Sequence, residues 1–270
     1  PEMYHSFIEY YKTNLHNCNI DYVTGEKIQC SEKHPSKIRN SGDKAKIFSA
    51  NDTSGFTYRG RFANREQAAS IGYETSQKAH NALRWLLARQ GKYIDGEMTV
   101  VWKLPQNLKE KDSNLALDVV DLFGDTQETF LADFDWAAEC RDEDDIELDR
   151  KFAEKLNQAM AGYRAKLQPD DEVIILSVDA ATTGRLAVTY YQEVPGNEFI
   201  DRVLHWHQNC TWPRWIKLHE TKKWVFINNT APSPNEIALA AYGTEQEKGY
   251  LTCNDKLRKA TIRRSLPCII

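Results

Sequence analysis

Paired cysteines, long apolar runs, a strong net charge and the short signatures of common catalytic sites are all missing from this sequence. Its six cysteines stand at 18, 30, 140, 210, 253 and 268, without close spacing. That is not the dense disulfide framework of a small secreted domain, and it implies a reducing, cytoplasmic setting. No run of about 18 apolar residues occurs, so no membrane span is predicted. The 270 residues carry a net charge of only −4, with 27% charged and 41% apolar residues, an ordinary globular composition. A protein that coats nucleic acid by charge alone is strongly basic, so any such surface here must be local, with acids gathered elsewhere. They do gather: Ala132–Asp149 holds nine acids against the single Arg141.

No GxSxG elbow, P-loop, dinucleotide fingerprint or HExxH is found. The sharpest catalytic candidate is Asp179, in VDAATTG after an apolar strand. A metal-dependent nuclease of ribonuclease H-like fold centred on Asp179 is therefore the alternative function, but it needs further carboxylates. Asp118, Asp121, Asp133 and Asp135 are the acids available, and Ala181 stands where a phosphate-binding turn would need glycine. The competing reading is a turn aspartate capping a hairpin. Two groups invite a metal, His205/His207/Cys210 and Cys18/Cys30/His34. Neither has a zinc-site spacing, and helix residues two apart face different sides. No cofactor and no metal is expected.

What is present is a basic stretch, HPSKIRNSGDKAKIFSANDTSGFTYRGRF, from His34 to Phe62. Lys37, Arg39, Lys44, Lys46, Arg59 and Arg61 outnumber Asp43 and Asp52, and Phe48, Phe56, Tyr58 and Phe62 lie among them. Cations bind phosphates without regard to sequence, aromatic faces accept unpaired bases, and glycines let a backbone come close. The following helix adds Lys78, His80 and Arg84, while Asn51, Gln77 and Asn81 carry amides that pair with adenine edges. The candidate nucleic-acid-binding residues are thus Lys37, Arg39, Lys44, Lys46, Asn51, Arg59, Arg61, Lys78 and Arg84. The plainer reading is an irregular surface loop packed by a structural helix.

Periodicity predicts a helix over Met3–Leu15, a small hairpin of Asp21–Gly25 with Lys27–Cys30, and a strand at Ala45–Ser49. A helix is expected over Gln67–Gln90, with Ala79, Ala82, Leu83, Leu86 and Leu87 as its apolar stripe, and a strand over Met98–Trp102. Beyond a helix at Leu148–Leu167, a strand at Val173–Val178 turns back through Ala180–Gly184 into Arg185–Val194. Helices at Asn197–Asn209, Asn235–Tyr242 and Lys256–Ser265 complete an α+β fold of short antiparallel hairpins and packed helices. Three regions are expected: a basic-loop and helix region (1–107), an acidic connection (108–147), and an α+β region (148–270) with the 173–194 hairpin, packed with the first as one unit. Trp85 is expected in the core, and Trp206, Trp212 and Trp215 are expected to pack the following turn.

Several blocks occur in a telling order: VTGE at Val23–Glu26, HPSKIR at His34–Arg39, GDKAKIFSAND at Gly42–Asp52 and GFTYRGRF at Gly55–Phe62. They are followed by SQKAHNALRWLLARQG at Ser76–Gly91, ILSVDAATTGRLAVTYYQEV at Ile175–Val194 and LPCII at Leu266–Ile270. This order resembles the large subunit of the subtype I-C CRISPR effector complex, Cascade. Many relatives have a cysteine just before VTG, where this chain has Asp21 and Tyr22. The resemblance implies an internal portion of a longer, non-catalytic subunit of an RNA-guided complex. Its implied partners are target DNA, guide RNA within the complex, the other effector subunits and the helicase-nuclease, with no membrane. Its implied roles are flanking-motif recognition, strand stabilisation and recruitment of the nuclease.

Overall fold

The computed structural model describes residues 2–49, 62, 65–68, 70–94, 96–104, 171–217, 224–227, 231–247 and 251–270. The acidic connection at 108–147, the helix expected at Leu148–Leu167 and the turn at Asn51-Asp52 lie outside them. The chain divides into two compact units, Pro1–Gly91 with Val178–Val188, and Lys92–Ser177 with Thr189–Ile270.

In the first unit, α1 (Glu2–Thr13) leads to an antiparallel pair, β1 (Cys18–Ile20) and β2 (Lys27–Gln29), with Cys18 opposite Gln29. The expected first strand at Asp21–Gly25 is instead the turn. Asp21 accepts from Val23 N at 3.2 Å and Thr24 Oγ1 at 3.1 Å, which curls the chain, and Gly25 completes the turn at φ 73°. The single helix expected over Gln67–Gln90 is broken into α2 (Arg65–Ala68) and α3 (Tyr73–Gln90). The carbonyls of Ser70 and Ile71 accept from Tyr22 N (3.0 Å) and Ser31 N (2.8 Å), so they serve the hairpin segment and not a helix. Gly72 then starts α3 in contact with that segment. A Cβ there would overlap Ile28 Cδ1 and come within 3.2 Å of Asp21 Oδ2.

Asp21 is fully buried at the start of α3, where it also accepts from Thr75 Oγ1 at 3.0 Å. Burial alone would raise its pKa. The Gly72 and Val23 amides and the Thr75 and Thr24 hydroxyls outweigh that and hold the carboxyl below its ordinary value. A carboxylate also suits the positive end of the helix dipole. The seam that α3 buries is Ser76, His80 and Leu87, while Ala79 and Ala82 of the expected stripe are exposed. The helix was misjudged because its inner face meets polar groups of the preceding loop. The strand expected at Ala45–Ser49 is a single bridge, Lys46 with Arg185.

In the second unit, β3 (Lys92–Ile94) pairs antiparallel with β4 (Glu97–Leu104) through a turn at Gly96, φ 90°. With β5 (Glu172–Thr182) and β6 (Arg185–Pro195) they form a sheet of order β3-β4-β5-β6. The outer part of the β5–β6 hairpin belongs to the first unit. Next come α4 (Gly196–Asn209), the antiparallel pair β7 (Arg214–Lys217) and β8 (Trp224–Ile227), and α5 (Pro234–Tyr242). A pair of two-residue strands, β9 (Thr244–Glu245) and β10 (Leu251–Thr252), precedes α6 (Asp255–Ile269). Val101, Ile175, Val194, Phe199, Ile200 and Leu266 are among the residues of its core, which α4 and α6 complete. A Ser233/Glu236 capping box with Pro234 in the first turn starts α5, and Asn254 accepts from Lys256 N to start α6.

Several buried polar groups in this unit are paired. Lys103 meets Asp171 at 3.3 Å, Thr99 Oγ1 lies 2.6 Å from Ser177 Oγ, and Glu97 binds Arg263 Nε at 2.9 Å and the Thr189 hydroxyl. Trp85, Trp212 and Trp215 are exposed, which for Trp85 departs from the expected place in the core. Trp85 lies under the Arg89 guanidinium at 4.9 Å, and Trp215 packs on Phe226, with centroids 5.2 Å apart. Helices mixed with short antiparallel sheets make the fold α+β. Among the described residues, no helix is long and apolar enough to cross a membrane.

Candidate nucleic-acid interface

Two of the predicted ligand-binding arginines anchor the basic segment from His34 to Lys46: Arg84 of α3 and Arg39 of the segment itself. Arg84 donates from Nη2 to the Ser36 carbonyl at 2.8 Å and from Nε to the Lys37 carbonyl at 3.1 Å. Lys37 has φ 60°, a left-handed conformation that costs a non-glycine residue about 1 kcal/mol or more. Its own amide donates to the Asp43 carbonyl at 2.8 Å, closing the loop. Arg39 is nearly buried, with Nε 2.8 Å from Asp43 Oδ2 and Nη1 3.5 Å from Asp179 Oδ1. Burial would raise the Asp43 pKa. Arg39 and the Ala45 amide outweigh it and hold the carboxyl below its ordinary value. Ile38 and Ala45 point into the unit and are buried.

This anchoring leaves Lys37 and Lys44 exposed and Lys46 half-buried. The backbone of Lys46 bonds to Gly184 and Leu186 at the hairpin turn (3.2 and 2.9 Å). Lys78 is exposed on α3 beside Glu74 at 3.2 Å, about 9 Å along the helix from Arg84. Asn81 accepts from Arg84 Nη1 at 3.3 Å. Asn51, Arg59 and Arg61 lie outside the described residues. The structure therefore brings Lys37, Lys44, Lys46 and Arg84 onto one loop-and-helix surface, with Arg39 beneath it.

His80 does not extend the cationic surface. It is buried, and burial, reinforced by Arg84, lowers its pKa against the opposing pull of the Ser76 backbone bond. Its Nδ1 lies 2.6 Å from the Ser76 carbonyl, and its Nε2 has no hydrogen-bond partner. His34 Nδ1 lies 2.9 Å from Ser76 Oγ, and its pKa falls to about 4 through burial, His80 and Lys46. The two imidazoles stack at 6.1 Å, and Phe48 covers both, with centroids 5.6 and 5.8 Å away. Sequence reasoning missed this neutral cluster. The four-residue spacing of Ser76 and His80 was its one legible signal.

Asp179 lies within β5, not after it. Its Oδ1 accepts from Ala180 N at 2.8 Å and faces Arg39. A guanidinium thus stands where a nuclease would hold a metal ion. Asp118, Asp121, Asp133 and Asp135 lie outside the described residues. Among those described, no group of three His, Cys, Asp or Glu residues is placed to hold a metal ion. His207 is buried in α4, whereas His205 is exposed with Nδ1 3.1 Å from Asn209 Nδ2.

The arrangement offers point charges on flexible stems above an anchored loop, a geometry that can meet phosphates. A comparison with curated proteins finds none that matches. The model of the family described as CRISPR-associated protein (Cas_Csd1) matches residues 1–270. The chain therefore belongs to the Csd1 family, the large subunits of the type I-C Cascade complex.

Proposed function

We propose that this Cascade protein is a non-catalytic subunit that holds target DNA next to its flanking motif, steadies the opened strands and presents them to the helicase-nuclease. Lys37, Lys44 and Lys46 contact phosphates, and Asn51, Arg59 and Arg61 are further nucleic-acid contacts on the ground of their residue types alone. Arg84 and Arg39 act one layer down, fixing the loop. One observation carries the reading: Lys37 is held in a left-handed conformation by Arg84 and Asp43, and its ammonium is left outward. Backbone strain of this kind clusters at functional sites. The working compartment is the cytoplasm, where the guide RNA and its DNA target meet.

The test is duplex and forked DNA binding by the complete effector complex across a salt series, wild type against Lys37→Ala/Lys44→Ala. Loss of two duplex phosphate contacts lowers the slope of log K against log salt by about 1.8. An unchanged slope and affinity in an intact complex would remove the loop from the DNA path.

A further inference from the structure

Helix α1 carries its apolar stripe on the outside. Its inner side presents half-buried Ile8 and Lys12, whose ammonium binds Glu9 at 2.9 Å and Glu74 of α3. Tyr11 leans on Tyr73, with ring centroids 4.8 Å apart. No residue of the helix is buried. Met3, Tyr4, Phe7 and Tyr10 face solvent instead, exposed by 84%, 79%, 57% and 68%. At about 100° per residue these four and Tyr11 fall within roughly a third of the circumference. A cavity of about 760 Å³ lies between α1, the β1–β2 hairpin and α3, lined in part by Lys12, Cys18, Thr24 and Lys78, so the hairpin covers little of the helix.

We propose that this stripe is a docking face for another protein subunit of the Cascade assembly, one that offers an uncharged apolar groove. At about 200 Å² per large side chain, the stripe exposes roughly 600 Å². That is most of the about 800 Å² one partner contributes to a standard protein interface, and the top of the range for a monomer's largest patch. Tyrosine, phenylalanine and methionine are the residues that anchor interface centres. Ser6 and Thr13 flank the stripe without charge, and the helix holds Glu2 and Glu9 against Lys12, which is already ion-paired. Phosphate and anionic lipid both need cations at the contact, so the charge pattern selects a protein. The argument rests on family membership and not on the lysine loop.

The experiment assembles the complete guide-loaded complex with Phe7→Glu/Tyr10→Glu, Phe7→Leu/Tyr10→Leu or Tyr4→Ser. Incorporation of the chain is measured by pull-down on a tagged partner subunit. The glutamate pair should lower incorporation at least tenfold, the leucine pair should restore it, and Tyr4→Ser should lower it severalfold. Circular dichroism of the free variants should match wild type. Wild-type incorporation of the glutamate pair overturns the proposal. So does intact assembly accompanied by loss of self-association of the free chain, or of binding to phosphatidylglycerol vesicles. Equal loss in the glutamate and leucine pairs also overturns it, because apolar area would then not be what docks. DNA binding by complexes that do assemble is read separately, so failure of the lysine-loop proposal stays distinguishable.

Discussion

Acidification should unfasten the basic loop through His34. The neutral ring is sandwiched among Ser76, His80 and Phe48, with Lys46 nearby, and its pKa is about 4 against an ordinary 6.5. A base whose folded pKa is depressed binds fewer protons in the fold than in the unfolded chain. Stability is therefore full above 6.5, falls as pH drops below it, and reaches its lowest contribution below 4. At pH 5 the difference in proton binding amounts to about 2 kcal/mol, and the limit below pH 4 is about 3.4 kcal/mol. The depressed pKa of His80 adds in the same direction. The buried carboxylates Asp21 and Asp43, whose pKa values are lowered, start to weaken the fold only well below pH 5, so the window from 6.5 to 5 reports on histidines. The assay is thermal unfolding at pH 7.5, 6 and 5 for wild type and His34→Asn, whose amide can still meet Ser76. Asparagine loses ring packing, a cost that does not vary with pH. Wild type should lose about 4–8 °C more than the variant between pH 7.5 and pH 5. Parallel pH profiles for the two proteins would refute the assignment of that loss to His34.

Asp21→Ala removes the acceptor for two amides and two hydroxyls and should destabilise the first unit by about 3–5 kcal/mol, read by denaturant unfolding. Gly72→Ala should cost about 1–3 kcal/mol by the same measurement, because the new methyl meets Ile28 in a packed seam. Arg84→Met should lower DNA affinity of the complex while leaving the salt slope almost unchanged, since this arginine holds carbonyls and not phosphates. Asp179→Asn should leave CRISPR interference intact and reduce stability by about 1 kcal/mol, as a partner of Arg39 loses its charge. Loss of interference in a stably folded Asp179→Asn complex would revive a catalytic role.

How much of this was legible in the sequence depended on the range over which each interaction acts. Signals confined to a few residues survived: the β5–β6 hairpin, the end of α3 at Gln90 and the amphipathic α4. Arg39 and Asp43 were also readable as a local pair four residues apart, yet their like-charged neighbours made a phosphate path the easier reading. What no local pattern could supply was the third partner, Asp179, which the fold brings in from β5. The same reason explains α3. An apolar stripe read by helical period assumes an apolar floor, but the loop that packs there offers His34, so the buried seam became Ser76 and His80. A cation count therefore overstates a binding surface wherever distant acids and carbonyls are brought to it. Of the described candidate cations, Arg39 and Arg84 have been drawn into the architecture, Lys78 stands beside Glu74, Lys37 and Lys44 are exposed, and Lys46 is half-buried. The division has a physical basis. A planar guanidinium can satisfy two carbonyls or two carboxylates at once and so becomes part of the frame, whereas a lysine on a flexible stem serves as the replaceable point charge.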